Sequence, residues 1–266
     1  MGRVLAGGCR VWGLTEGRPR TIGGVRVWNR AGRRSGAEAI SLRVLRFPPG
    51  LSGLDGSEAD DVLYVLDGDA TVSLEGWAHR VGPDTGVYLR PRAPLTVDNP
   101  GPRPFTVVSS RCPDPGDRLR AVPSLTQSLP GATPPRPSPI VRLADRPSET
   151  TGDRSYRVLV DRSVGCEAVT QFVGTIPPGR APDHFHHYEE VLCILDGQGR
   201  MWAGRSHAPI GPGSCIFLPR RQVHCVENTG EGPLRLLGVF YPAGSPAARV
   251  RAYRTVSSIR KAKPRK

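Results

Sequence analysis

The stretch HFHHYEEVLCILDG, residues 184–197, decides the fold of this chain, because its second half has a copy earlier in the sequence. Residues 62–68 read VLYVLDG and residues 191–197 read VLCILDG, a displacement of 129 positions (191 minus 62). The same displacement carries the tripeptide PPG at 48–50 onto 177–179, and Asn99 onto Asn228. Agreement at one constant offset indicates a tandem duplication of one fold unit.

The composition and the strand signals point to short strands joined by turns. The 266 residues include 32 Gly and 28 Pro, while 38% of the chain is hydrophobic, which is enough for a buried core. Short apolar or β-branched runs alternate with turn residues in both copies: 62–66, 71–74, 87–89 and 105–108 in the first, and 169–173, 191–195, 216–218 and 234–241 in the second. This pattern predicts an all-β fold of two tandem barrels.

Metal-binding residue types occur at metal-binding spacing in the second copy. On an extended strand His184, His186 and Glu190 share one face, because side chains alternate with a period of two. His224 adds a further imidazole from a separate segment. A single His on a strand is more often a surface or hydrogen-bonded residue, but this combination suits a divalent transition metal such as Fe, Mn, Ni, Cu or Zn.

These two segments resemble the paired motifs of the cupin superfamily, G-x5-H-x-H-x3,4-E-x6-G and G-x5-P-x-G-x2-H-x3-N. The positions that carry the resemblance are Gly179, one residue closer to the first His than the motif states, His184, His186, Glu190 and Gly197, and then Gly213, Pro219, His224 and Asn228. Arg221 replaces the second glycine of the second motif. The resemblance extends to both copies and implies a bicupin, with two tandem cupin barrels of the double-stranded β-helix or jelly-roll type.

The first copy lacks the metal-binding residues of the second. Subtracting 129 from the four proposed ligands gives Asp55, Ser57, Asp61 and Leu95, which cannot form the same centre. We therefore predict five regions: an N-terminal segment 1–36, a metal-free cupin 37–112, a Pro-rich linker 113–140, a metal-binding cupin 141–253 and a basic tail 254–266.

Parity also predicts the substrate pocket. Leu192 and Ile194 share the parity of Glu190, and Gln222 and Val226 share that of His224, which gives a mainly apolar pocket with one amide. Four protein ligands leave two adjacent positions on a six-coordinate metal, as a chelating substrate or a substrate with O2 requires.

The resulting hypothesis is a metal-dependent bicupin enzyme acting on a small organic molecule. Its first form is an Fe(II)-dependent oxygenase, a dioxygenase of an enolisable or phenolic substrate. Its second form is a redox-neutral decarboxylase, isomerase, cyclase or lyase acting on a carboxylate or polyketide-like substrate with the same metal. A third hypothesis is a non-catalytic cupin that binds a small molecule.

Charge and cysteine usage predict the partners and the compartment. The 37 basic and 24 acidic residues give a net charge of +13, but the Lys residues lie in the last seven positions and Arg is scattered among acidic residues, so we expect no nucleic-acid partner. No window approaches 18 uninterrupted apolar residues, which predicts no membrane span. The six cysteines show no C-x-x-C, which favours reduced thiols and a cytoplasmic location. The resemblance further implies a homodimer formed through edge strands.

Overall fold

The computed structural model describes residues 2–113, 116, 118–124 and 136–248, and confirms the all-β, two-barrel prediction. Strands β1 to β12 are Arg3–Val4, Arg10–Gly13, Arg20–Ile22, Val25–Ala31, Leu42–Phe47, Gly50–Leu54, Asp60–Asp67, Ala70–Leu74, Trp77–Val81, Thr85–Leu89, Leu95–Asn99 and Phe105–Cys112. Strands β13 to β23 are Ile140–Arg142, Glu149–Thr151, Arg154–Val160, Thr170–Ile176, Gly179–Arg180, Glu189–Asp196, Gly199–Ala203, Ser206–Ile210, Ser214–Leu218, His224–Asn228 and Leu234–Tyr241. Helical structure in the described residues is limited to the 3-10 turns Ala6–Gly8, Arg33–Ser35, Leu143–Asp145 and Arg162–Val164.

Each barrel consists of a large and a small antiparallel sheet. The first barrel has a seven-stranded sheet in the order β13-β10-β7-β12-β5-β4-β3 and a four-stranded sheet in the order β6-β11-β8-β9. The second has an eight-stranded sheet in the order β1-β2-β21-β18-β23-β16-β15-β14 and a four-stranded sheet in the order β17-β22-β19-β20. Apart from β1, which has no counterpart in the first barrel, equivalent strands take equivalent places in the two barrels.

The central strands are apolar along their whole length because both of their faces are buried. In β7, Leu63 and Val65 belong to the core of the first barrel, whereas Val62 and Tyr64 belong to the cluster between the two barrels. The equivalent strand β18 repeats this division, with Leu192 inside its barrel. The large sheets thus pack against each other through their outer faces, which removes the hydrophobic alternation expected of a half-exposed strand.

The two barrels exchange their first strands. Strand β2 pairs with β21 of the second barrel, with Val11 opposite Ile216, while β13 pairs with β10 of the first barrel, with Val87 opposite Ile140. Strands β3 and β4 of the predicted N-terminal segment lie in the sheet of the first barrel. The predicted boundary between residues 36 and 37 therefore falls within one sheet, and the strands between residues 3 and 31 contribute to both barrels.

The predicted linker is in part a structural element of the first barrel. The amide of Asp55 donates to the carbonyl of Arg120 at 2.9 Å, and the amide of Val122 donates to the carbonyl of Gly53 at 3.1 Å. Leu119 belongs to the core of that barrel. Residues 118–124 thus run beside β6, whereas the predicted basic tail, residues 254–266, lies outside the described part of the chain.

Two further observations concern the state of the cysteines and the length of the helices. All six cysteines are buried and none forms a disulfide in the described chain. Among the described residues there is no helix with the length and apolar character needed to cross a bilayer.

Candidate metal centre

Two chain segments bring the predicted ligands together at one end of the second barrel. His184 and His224 form an isolated antiparallel bridge, in which the amide of His184 donates to the carbonyl of His224 at 3.0 Å and the reverse bond measures 2.8 Å. The extended strand predicted for residues 184–190 begins only at Glu189, because the chain bends at residues 187–188. His184 and His186, which precede the bend, and Glu190, which follows it, line the same cavity.

The three imidazoles face one another closely. Ring centroids are 5.0 Å apart for His184 and His186, 4.4 Å for His184 and His224, and 5.2 Å for His186 and His224. One ring nitrogen from each lies within 4.8 Å of the others, a spacing that could hold a metal ion. Glu190 lies beside them, with its Oε2 3.5 Å from Nε2 of His186.

Backbone carbonyls fix the tautomers of two rings. Nδ1 of His184 lies 3.0 Å from the carbonyl oxygen of Pro182, and Nδ1 of His224 lies 2.8 Å from that of Gln222. Because a carbonyl can only accept, each Nδ1 carries the proton and donates. The Nε2 lone pairs then remain available, which is the arrangement typical of metal-binding histidines.

The protonation of the site suits a cation. Burial lowers the pKa of His186 and of His224 to about 3, with a further contribution from the neighbouring imidazoles. Burial also lowers the pKa of His184, and the nearby positive charge of Arg154 adds to this effect. The rings are therefore neutral at physiological pH and can act as ligands. Burial raises the pKa of Glu190 to about 8, and a divalent cation beside this carboxyl would favour its charged form.

A cavity of about 130 Å³ opens directly onto these residues. It is lined by all four proposed ligands and by a mainly apolar wall from strands β15, β16, β18, β22 and β23, including Tyr156, Phe172, Leu192, Val226, Leu236 and Phe240. Tyr188 is stacked between His186 and Phe240, at centroid distances of 4.6 and 4.5 Å. A cavity of roughly 150 Å³ is sufficient for one benzene molecule, so this site suits a small organic molecule.

Two of the four predicted pocket residues lie in the cavity wall. Leu192 and Val226 line it, whereas Ile194 is packed deeper in the barrel core. Gln222 also lies elsewhere: its amide donates to the carbonyl of Val223 at 2.7 Å, and its side chain lies against Gly7. The parity argument does not reach Gln222 because β22 begins only at His224, so Gln222 belongs to a turn.

The turn before β22 explains where the chain departs from the motif. Arg221 has a φ of 61°, and the equivalent Arg92 has a φ of 69°, both in the left-handed region that favours glycine. The amide of Arg221 donates to the carbonyl of His186 at 2.6 Å. The arginines therefore preserve the turn conformation for which the motif has glycine, at some cost in backbone energy.

In the first barrel an ion cluster fills the equivalent space. The Asp61 carboxylate, at the position of Glu190, accepts hydrogen bonds from Arg111 Nε at 2.7 Å, Arg43 Nη2 at 3.2 Å and Ser109 Oγ at 2.6 Å. Burial acts to raise the pKa of Asp61, but the two guanidinium charges and these hydrogen bonds outweigh it and hold the pKa below its usual range. The structure therefore shows charge pairing where the second barrel gathers imidazoles.

A buried carboxylate next to the site joins the two barrels. Glu189 is 2% exposed and accepts hydrogen bonds from the backbone amides of Glu38 at 2.8 Å, Ala39 at 2.7 Å and Ile40 at 3.1 Å. It is also the first residue of β18, directly before Glu190. The first barrel thus fixes the point at which the loop carrying His184 and His186 enters the sheet.

The sequence motifs gave no sign of most of the cavity wall. Arg154, Tyr156, Phe172 and Phe240 lie on strands β15, β16 and β23, outside both motif segments. The duplication contains a signal that could have indicated part of this wall, because Phe172 and Phe240 lie 129 residues after Arg43 and Arg111. At two inward positions the first copy has arginine and the second copy has phenylalanine. This difference indicates a charged interior in the first barrel and an apolar interior in the second.

Comparison with known proteins agrees with this architecture. The family model described as Cupin domain matches residues 172–240. Auxin-binding protein 1 of Arabidopsis thaliana is 32% identical over 116 residues, which make up 38% of this chain and 59% of that protein. An uncharacterised protein of Methanocaldococcus jannaschii is 33% identical over 69 residues, 25% of this chain and 55% of that protein. The chain thus spans little more than half the length of these relatives.

Solved structures match over most of the chain. A single-residue mutant of Bacillus subtilis oxalate decarboxylase superposes with a TM-score of 0.70 at 15% identity, covering 87% of this chain and 77% of that one. A structure of the same decarboxylase, described in a study of its Mn(II) centres, gives a TM-score of 0.70 at 15% identity and covers 88% and 78%. At this identity the likeness concerns the two-barrel fold.

Proposed function

We propose that the second barrel of this bicupin is the catalytic unit of a metal-dependent enzyme acting on a small organic molecule. Within the described residues, only this barrel gathers imidazoles and a carboxylate. The observation that carries the proposal is the group of His184, His186 and His224 beside Glu190 at the wall of a cavity of about 130 Å³. These four residues are the proposed metal ligands.

The residues around the proposed ligands have separate tasks. The carbonyls of Pro182 and Gln222 orient two imidazoles, and Tyr188 holds the third by stacking on His186. The apolar wall excludes water, which strengthens electrostatic interactions inside the cavity. A bound divalent cation would act as a Lewis acid toward a coordinated carboxylate or enolate oxygen.

For the reaction we favour redox-neutral chemistry, with decarboxylation as its leading form. Decarboxylation breaks a C–C bond, releases CO2 and consumes one proton, which takes the place of the carboxyl group on the remaining carbon. The likeness to oxalate decarboxylase supports this choice over the oxygenase favoured by sequence. Mn(II) is accordingly the first metal to test. The Fe(II)-dependent dioxygenase is the second candidate, because four donors on a six-coordinate ion leave room for a substrate and O2.

Metal analysis tests the site itself. We expect the purified chain to hold about one divalent ion and His186→Ala to lose most of it. His187→Ala is the matched control, because His187 contacts Phe185, at a ring distance of 5.5 Å, and does not line the cavity. Equal metal content in the two variants would contradict the assignment.

Turnover under nitrogen tests the reaction. Protein loaded with Mn(II) or Fe(II) is incubated with a panel of small carboxylic acids, while CO2 release and O2 consumption are measured. We expect CO2 release that persists without O2. Product formation that requires O2 with matching consumption would instead support the dioxygenase, and stoichiometric binding without any turnover would support the non-catalytic binding protein. The homodimer and the cytoplasmic location stay predictions from the sequence.

A further inference from the structure

The cavity beside the proposed metal centre has one cationic side chain among its described lining residues, that of Arg154. This residue opens strand β15, and its side chain is 22% exposed. Its ion pair with Asp153 is weak, because Nε lies 3.5 Å from Oδ1 of Asp153 and the Asp153 side chain is 74% exposed to solvent. The guanidinium therefore keeps most of its hydrogen-bonding capacity at the edge of an apolar cavity.

The fold itself does not require a charge at this position. The equivalent residue in the first barrel, 129 positions earlier, is Val25, which is completely buried in the core. That barrel has the same strand order, but its described residues include no group of side chains that could hold a metal ion. The guanidinium is thus present in the barrel with the proposed metal site and absent from the equivalent strand of the other barrel.

We propose that Arg154 binds an anionic group of the substrate, so that the substrate is an organic acid with a second polar group directed toward the imidazoles. This inference rests on the proposed function and names its substrate class. The planar guanidinium forms paired hydrogen bonds with a carboxylate, and the apolar wall strengthens them by excluding water. The cavity volume of about 130 Å³ restricts that acid to roughly the size of benzene.

The test compares two ligands that differ by one charge. The full-length chain is loaded with Co(II), whose visible absorption reports on ligands entering the site, and is titrated with succinate and with succinamate, the monoamide of succinate. The variants are Arg154→Gln, Arg154→Lys and Arg157→Gln. Arg157 is the matched control because it lies on the same strand, donates to the carbonyl of Leu143 at 3.2 Å and does not line this cavity.

We expect the wild-type protein to bind succinate about tenfold or more tightly than succinamate, the range of one charge-assisted hydrogen-bonded pair. Arg154→Gln should reduce this ratio to about one, Arg154→Lys should keep part of it, and Arg157→Gln should keep all of it. A ratio of one in the wild type, or an unchanged ratio in Arg154→Gln, would overturn the inference.

The failure of the proposed function has a different signature. If Co(II) binds equally to the wild type and to His186→Ala, the metal site is elsewhere and both proposals fall. If Co(II) binding requires His186 but the succinate preference does not require Arg154, the metal site stands and the assignment of Arg154 alone is refuted.

Discussion

The carboxylate that joins the barrels gives the most quantitative prediction. Glu189→Ala leaves the amides of Glu38, Ala39 and Ile40 without their acceptor in a buried interface. An unsatisfied buried donor costs about 1–3 kcal/mol, and part of this cost is recovered when the loop relaxes and water enters. We therefore expect a loss of about 3–5 kcal/mol, the size typical of removing one partner of a buried charged interaction.

Urea unfolding followed by tryptophan fluorescence measures this loss. The control is Asp60→Ala, because Asp60 lies 129 positions earlier and accepts one hydrogen bond, from the Tyr88 hydroxyl at 2.6 Å. One hydrogen bond to a charged group contributes about 1.5–3 kcal/mol, so the control should lose clearly less. If the two variants lose the same stability, the three-amide interaction does not hold the barrels together as described.

Three further predictions concern the two barrel interiors and the tail. His186→Ala should remove most of the bound metal, whereas Asp61→Ala should keep it, as elemental analysis will show; equal loss would place the site outside the second barrel. Asp61 also makes stability depend on pH: its folded-state pKa is lowered, so its contribution is complete above the unfolded pKa of about 4 and is lost as the pH falls through the folded value. Asp61→Asn should therefore flatten the acid side of the stability profile, and an unchanged profile would show that the pairing with Arg43 and Arg111 is energetically unimportant. Deleting residues 260–266 should leave metal content and activity unchanged, and an inactive truncated protein would give the basic tail a role.

The sequence was sufficient for the fold because the duplication and the motif spacing carry long-range information. Residues 62–68 and 191–197 coincide with the central strands of the two barrels, and their apolar character follows from burial on both faces. Parity predicts that His184, His186 and Glu190 share one face, and the three residues line one cavity although the chain bends between the last two. The histidines lie on the loop before the bend and the glutamate lies on the strand after it, and all three side chains reach the same cavity.

Other features depend on contacts that no local pattern encodes. Nothing in residues 10–13 indicates that β2 pairs with a strand about 200 positions away, since pairing with either barrel would satisfy the same backbone groups. Arg154 was missed for a related reason: an arginine next to a turn is indistinguishable from a surface residue unless its position relative to the cavity is known. The pocket prediction also failed to reach Gln222, because strand parity ends where the turn begins.

The strand exchange has a consequence for synthesis on the ribosome. Val11 pairs with Ile216, so 205 residues (216 minus 11) must be added before β2 meets its partner strand. At about 5–20 residues per second, this separation corresponds to roughly 10–40 s. Throughout that interval the hydrogen-bonding edge of β2 has no partner within the second barrel, while the first barrel already has most of its own strands. The order of translation therefore differs from the order of assembly, and a slow, non-local closure step is built into the topology.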